Sequence, residues 1–388
     1  MNSINDESEI IWALNSEKRV SGLTHNFYRY PARFSPEFAR EIISKFTNED
    51  DFILDAFMGS GTTIVESIAN GRNAIGVDIN PLSCFITKVK TTPLSKRDKS
   101  EILKWVDRIS FTQSADEDYS QTIEGLKHIP DEFKNILISL TKTIDIFEFP
   151  RQKNFAKCAL LRLAQWAIDC RKELPPSNTL REQLTKQVQE MLEGLDELVV
   201  TTRDKGIYKN QITGKRKLFL GSVDDLINNR VFNRMQSRVR LVLTSPPYPG
   251  VHVLYHRWQV NSRRETPAPF YLTGLQDGHG EAYYTLGGRS PSGLKNYFIR
   301  IKEIFSSVRS FIHPDAMVAQ LVAFSNPETQ LPTFLDSMQL AGFQEIRPSN
   351  SHDSLRPNRI VPNRKWYTNI ENNQSASNEI LLFHQLRH

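Results

Sequence analysis

Short apolar runs that stop at Gly, Asp or Pro recur along the chain, with helically periodic stretches between them. Phe52–Ala56, Asn73–Val77, Lys217–Leu220, Val239–Thr244 and Met317–Phe324 read as buried parallel strands. Residues around Gln344–Ile346 and Glu379–His384 predict a terminal antiparallel pair. Helical patterns cover Thr63–Ala69, Leu82–Val89 and Leu294–Ile312, each lying next to one of these runs. Strands alternating with helices in this way specify a doubly wound α/β sheet, here of seven strands.

One region breaks the rhythm. Between about residues 95 and 200 there is no convincing strand, but there are four amphipathic stripes. Ile102, Leu103, Val106 and Ile109 share a face, as do Phe133, Ile136, Leu137 and Leu140. Leu160, Leu163, Ala164, Ala167 and Ile168 form a third stripe, and Leu184, Val188, Met191, Leu192 and Leu195 a fourth. The expectation is one sheet domain, residues 1–90 and 205–388, interrupted by a helical insertion at 91–204.

Composition narrows the class of protein. At 388 residues, with ordinary apolar and charged fractions, the chain suits a globular protein. No stretch reaches the roughly 20 consecutive apolar residues that span a bilayer. The N-terminus MNSINDESEI has neither the basic nor the apolar part of a secretory signal, so a cytoplasmic location is expected. Cys84, Cys158 and Cys170 are isolated, which argues against a disulfide framework and against a structural zinc site. The net charge of +5 is compatible with a polyanionic partner.

The chemistry concentrates at strand ends. Asp55-Ala-Phe-Met-Gly-Ser-Gly-Thr-Thr63 turns from the first strand into a helix, and its glycines let the backbone approach a ligand. The helix that follows offers free N–H groups to a polar ligand end. Gly61 is followed by Thr62 rather than Lys, which argues against a phosphate loop, and the third glycine of a dinucleotide fingerprint is missing. Asp78 lies about 20 residues beyond the turn, where such folds place a ribose-hydroxyl acceptor. The third strand ends at Gly221-Ser-Val-Asp224, and Asp224 is placed to accept from an adenine amino group. Helix capping is the competing reading for both acids.

Asp55–Thr63 together with Thr244-Ser-Pro-Pro-Tyr248 resembles motifs I and IV of the DNA amino-methyltransferases, which make N4-methylcytosine or N6-methyladenine. His25-Asn-Phe-Tyr-Arg-Tyr-Pro-Ala-Arg-Phe34 resembles the segment called motif X in bacterial members. The resemblance covers roughly residues 25–90 and 215–325. It implies a Rossmann-like methyltransferase sheet and S-adenosylmethionine as cofactor. Phe57, Gly59 and Gly61 would then line the methionine side, and Asp78 and Asp224 would hold ribose and adenine. Tyr30, Pro31, Ala32, Arg33 and Phe34 would close over the methionine, with Asp55, Thr62, Ile79 and Thr244 completing the cofactor set.

Ser245, Pro246, Pro247 and Tyr248 fit the catalytic half. A base amine is a poor nucleophile because its lone pair is delocalised into the ring. Acceptors on its hydrogens, here Ser245 Oγ and the Pro246 carbonyl, draw the nitrogen towards tetrahedral geometry, and two prolines stiffen the loop. Tyr248 offers a face for a base extruded from the duplex. Serine in the first position implies N4-cytosine, with N6-adenine as runner-up. An RNA amine methyltransferase and a non-catalytic relative of the fold are the other readings. The expected partner is double-stranded DNA, with a cognate restriction endonuclease as a further candidate.

Basic and aromatic residues supply a candidate DNA groove. His256, Arg257, Trp258, Arg263 and Arg264 follow the catalytic loop, and Arg356, Arg359, Arg364 and Lys365 lie in a second basic stretch. His252 and His256 have helical spacing but no evident third ligand, so no metal is expected.

Overall fold

The apolar runs form the strands they predict, in a computed structural model that describes residues 8–16, 20–30, 34–111, 123–171, 173–235, 237–250, 258–260, 264–277, 286–347, 356–362 and 376–387. The strands are β1 (Phe52–Asp55), β2 (Asn73–Asp78), β3 (Arg216–Leu220), β4 (Val239–Thr244), β5 (Trp258–Val260), β6 (Arg264–Thr266), β7 (Ile312–Ala323), β8 (Phe343–Ile346), β9 (Asn358–Pro362) and β10 (Ala376–Leu386). Eight of them make one sheet in the order β3-β2-β1-β4-β7-β10-β8, with β9 also paired to β10. The first five are parallel neighbours. β10 runs antiparallel to β7, and its other edge carries β9 and β8 in succession.

The edge strand β9 and the small β5–β6 hairpin are additions to the expected seven-stranded sheet. Both are short, and the Pro and charge in Asn358–Pro362 mark an edge rather than a core strand.

Alternation across the strands explains the layering. Leu54, Val242, Val318 and Val322 face the helices Pro291–Arg309 and Pro327–Leu340. Their neighbours Ile53, Leu241, Leu243, Ala319 and Leu321 face the helices Ser8–Leu14 and Pro36–Phe46. Burial on both faces is what makes these runs continuously apolar. From β1 the chain moves through β2 to β3 on one side, then resumes at β4 and β7 on the other. The direction of winding therefore reverses between β1 and β4, and that reversal opens a crevice at their carboxyl ends.

The helical stretch between β2 and β3 includes Lys96–Arg108, Asp131–Lys142, Pro150–Ile168 and Ser177–Arg203. Its apolar faces do not form a core of their own. They merge with Phe27, Tyr28 and Tyr30 on one side and with Trp258, Val260, Ala268 and Phe270 on the other. No helix among the described residues is long and apolar enough to cross a membrane.

Candidate active site

At the end of β1 the chain turns through Gly59 and Gly61, whose φ angles of 50° and 74° lie in the left-handed region. A side chain at Gly61 would collide with Thr87, and one at Gly59 would meet the Tyr30 ring at 3.5 Å. The turn is thus pressed between the helix Pro81–Lys90 and the Tyr30 segment. The helix Thr62–Ala69 starts at Gly61 without a side-chain cap, which leaves its first N–H groups for a ligand.

Two side chains fix this turn. Asp78 accepts from Gly59 N at 2.7 Å and from Asn80 N at 2.8 Å. Burial pushes its carboxyl above the ordinary range in spite of those bonds. Beside it, Ile79 is 45% exposed, an apolar face at the crevice edge. From the far end of its helix, buried Lys90 donates Nζ to the Ser60 carbonyl at 2.7 Å.

The loop that begins after β4 is locked directly to the turn. Thr244 Oγ1 donates to Asp55 Oδ1 at 2.7 Å and accepts from Phe57 N at 3.1 Å. Thr63 Oγ1 donates to the Leu243 carbonyl at 3.2 Å. Burial pushes the Asp55 carboxyl up to about 6, against the bonds from Thr244 and Phe57 N that favour its charged form. Ser245 follows at once, and its Oγ donates to the Leu321 carbonyl at 2.9 Å. With the hydroxyl hydrogen so engaged, the oxygen presents lone pairs, which is the polarity an amine-binding group needs. Tyr248 is turned inward, 7% exposed, with its hydroxyl donating to Glu379 Oε1 at 2.6 Å.

Further contacts brace the glycine turn from outside. His25 Nε2 bonds Glu66 Oε1 at 2.8 Å, and Arg40 Nε donates to Glu66 Oε2 at 3.1 Å. These contacts tie the segment before Tyr30 and the helix Pro36–Phe46 to the helix after the glycine turn. The insertion grips the same segment. Gln165 exchanges two hydrogen bonds with the Arg29 backbone, at 3.0 and 2.9 Å, and Glu197 accepts from Leu23 N at 2.7 Å.

The structure brings Tyr30, Asp55, Phe57, Gly59, Gly61, Thr62, Asp78, Ile79 and Thr244 around the crevice mouth and its base, whereas Phe34 packs on Phe38 in the core beneath the sheet. Pro31, Ala32 and Arg33 lie outside the described residues, as do His256, Arg257, Arg263, Arg364 and Lys365. Asp224 ends up more committed than expected. Its carboxylate takes Arg300 Nη2 at 2.9 Å and the Ser222 hydroxyl, and burial is outweighed by these bonds, which hold it below the ordinary carboxylate range.

Three of the candidate DNA-contacting residues do not face outward. Trp258 is 1% exposed and donates Nε1 to the Tyr28 hydroxyl at 2.8 Å, so it joins the hairpin to the insertion core. Arg356 forks onto Glu345 at 2.6 and 3.0 Å, and Arg359 pairs with Glu379 at 2.6 Å. A guanidinium spent on a carboxylate inside the molecule is not offered to phosphate. Arg264 alone of the nine is both described and exposed.

Sequence reasoning missed Glu66, Lys90, Arg300 and Glu379. Glu66 carried a usable signal, since an acid inside Thr62-Thr-Ile-Val-Glu-Ser-Ile-Ala69, all buried, needs a cationic or donor partner. The other three had no local mark.

The sheet order and the crevice define a ligand-binding doubly wound α/β fold. Residues 2–88 match the family N6_N4_Mtase, DNA methylase, a stretch that holds the glycine turn and Asp78. Type II methyltransferase M.MvaI of Kocuria varians is 42% identical over 94 residues, 24% of this chain and 20% of that protein. Type II methyltransferase M.MjaII of Methanocaldococcus jannaschii is 36% identical over 96 residues, 25% of this chain and 18% of its own. The chain thus aligns with about a fifth of the length of these two relatives. What it shares with each of them is confined to about a quarter of this chain. The rRNA methyltransferase aviRa from Streptomyces viridochromogenes overlays with a TM-score of 0.30 at 12% identity, over 82% of this chain and 83% of that one, too weak a likeness to bear on function.

Proposed function

We propose that this chain methylates the exocyclic amine of a base in double-stranded DNA, with S-adenosylmethionine as the methyl source. The observation that carries the reading is the lock from Thr244 to Asp55 and Phe57, which sets Ser245-Pro-Pro-Tyr248 beside the glycine turn in one crevice. The residues there suit the cofactor. The uncapped helix start and the flush glycine turn fit an amino-acid end, Asp78 keeps lone pairs for ribose hydroxyls, and Ile79 offers an adenine face. Asp224 still has acceptor positions beyond Ser222 and Arg300. When bound, S-adenosylmethionine supplies an electrophilic methyl group.

The protein's own part is reception and orientation. Ser245 Oγ and the Pro246 carbonyl accept the amine hydrogens and localise the nitrogen lone pair, and the rigid loop holds that nitrogen in line. Tyr248 bounds the base pocket with its ring. Serine at the first loop position favours N4 of cytosine over N6 of adenine. DNA contacts fall to the hairpin around Arg264, to His256, Arg257 and Arg263, and to Arg364 and Lys365. The ends of β9 and β10 that flank this last pair, Pro362 and Ala376, lie at the carboxyl edge beside the loop. The helical residues 91–204 serve as the scaffold of the hairpin, with target recognition shared between them and residues 249–292. A restriction endonuclease acting on the same site is the expected companion.

The test is nucleoside mass spectrometry on DNA from cells expressing the chain. N4-methylcytosine is expected; N6-methyladenine would reassign the base and leave the mechanism standing. No methylated amine in DNA, under conditions where the purified protein binds cofactor, would overturn the reading.

A further inference from the structure

Tyr248 ends its hydroxyl on a carboxylate that is itself almost wholly enclosed: Glu379 is 1% exposed. Glu379 sits on β10 opposite Ala323 of β7, and it also faces Arg359 of β9 in register. Its two oxygens are divided between two partners. Oε1 takes the Tyr248 hydroxyl at 2.6 Å and Oε2 takes the Arg359 guanidinium at 2.6 Å. An isolated carboxylate at this depth is costly in water-excluded surroundings, and the cation and the phenol compensate it together. The result is a chain of contacts from the edge strand, through the sheet, to the fourth residue of the catalytic loop.

Resting on the methyltransferase reading, we propose that Glu379 and Arg359 are positioning residues that set the plane of the Tyr248 ring for the extruded base. Two prolines restrict the loop backbone but leave the tyrosine side-chain torsions free. A charge-assisted bond at the far end of the ring removes that freedom before the base arrives, so less ordering remains for the bound state. The chemistry predicts coupling. Removing the hydroxyl should harm base placement without touching the cofactor, and removing the carboxylate charge should do the same through the same bond.

The experiment uses the full chain and two duplexes carrying its mapped methylation site, an unmodified one to read kcat and one with 2-aminopurine at the target base to report extrusion. Tyr248→Phe keeps the ring and the Glu379–Arg359 pair, and Glu379→Gln removes the carboxylate charge. Each is expected to lower kcat about tenfold and to reduce the 2-aminopurine signal, with S-adenosylhomocysteine affinity unchanged. The double variant should be no worse than Glu379→Gln alone, because both changes break one bond. Wild-type kcat and fluorescence in Tyr248→Phe would overturn the proposal, as would fully multiplicative losses in the double variant. If Glu379→Gln fails to fold, Tyr248→Phe decides by itself. A wild-type protein that methylates no DNA would instead strike at the underlying reading.

Discussion

The crevice between β1 and β4 and the seam between the insertion and the β5–β6 hairpin are built by opposite means. In the crevice a few polar groups at strand ends, Asp55, Thr244 and Asp78, fix backbone positions through single hydrogen bonds. In the seam a large apolar core does the holding, with Trp258 and Tyr28 buried at its centre and one bond between them. The difference is that of chemistry against support. Changes in the crevice should alter rate or cofactor binding while the fold survives, and changes in the seam should alter the fold first.

Trp258→Ala tests the seam most severely. Loss of the ring and of the Tyr28 bond should cost about 3–5 kcal/mol of stability, seen as a lower denaturant midpoint. A stability within about 0.5 kcal/mol of wild type would show that the hairpin is not anchored there. In the crevice, Ser245→Ala should reduce kcat about a hundredfold, with melting temperature and cofactor affinity unchanged. Matching losses in stability and in rate would erase the contrast between the two regions.

Asp55→Asn sharpens it through pH. Burial raises the Asp55 carboxyl from 3.8 to about 6, so its ionisation penalises the folded state. The favourable contribution is fully present below about pH 4 and lost as pH rises through about 6. Relative to Asp55→Asn, the wild type should therefore lose up to ~2–3 kcal/mol across that window and then level off. A difference that is flat in pH would mean that the carboxyl titrates normally. The smallest effect is expected where charge rather than packing is removed: Arg263→Ala with Arg264→Ala should lower the salt dependence of DNA affinity by about 2 in log–log slope, and an unchanged slope would remove them from the DNA face.

The core strands and the glycine turn were legible in the sequence because each has a local cause. Apolar runs between turn residues specify buried strands, and glycine is the residue that takes the positive φ at 59 and 61 most readily. Ser245–Tyr248 was legible as a motif, and its distance from the turn in sequence vanished once β4 paired with β1. Arg356, Arg359 and Trp258 were misplaced for a common reason. Their partners Glu345, Glu379 and Tyr28 are remote in sequence or lie across strands, so composition alone made them look outward. Charge in a sequence marks a need for a partner, and only the fold says whether that partner is inside.

The placement of β4 beside β1 also orders events along a growing polypeptide. Phe57 and its hydroxyl partner are separated by 187 residues, an interval that includes the long helices whose shared core also takes in Tyr28 and Trp258. The central sheet stays open on one flank until the ribosome has delivered Val239–Thr244, and Tyr248 gains its carboxylate partner only once β10 has been made. The hollow where chemistry is expected is accordingly among the last features of the molecule to exist.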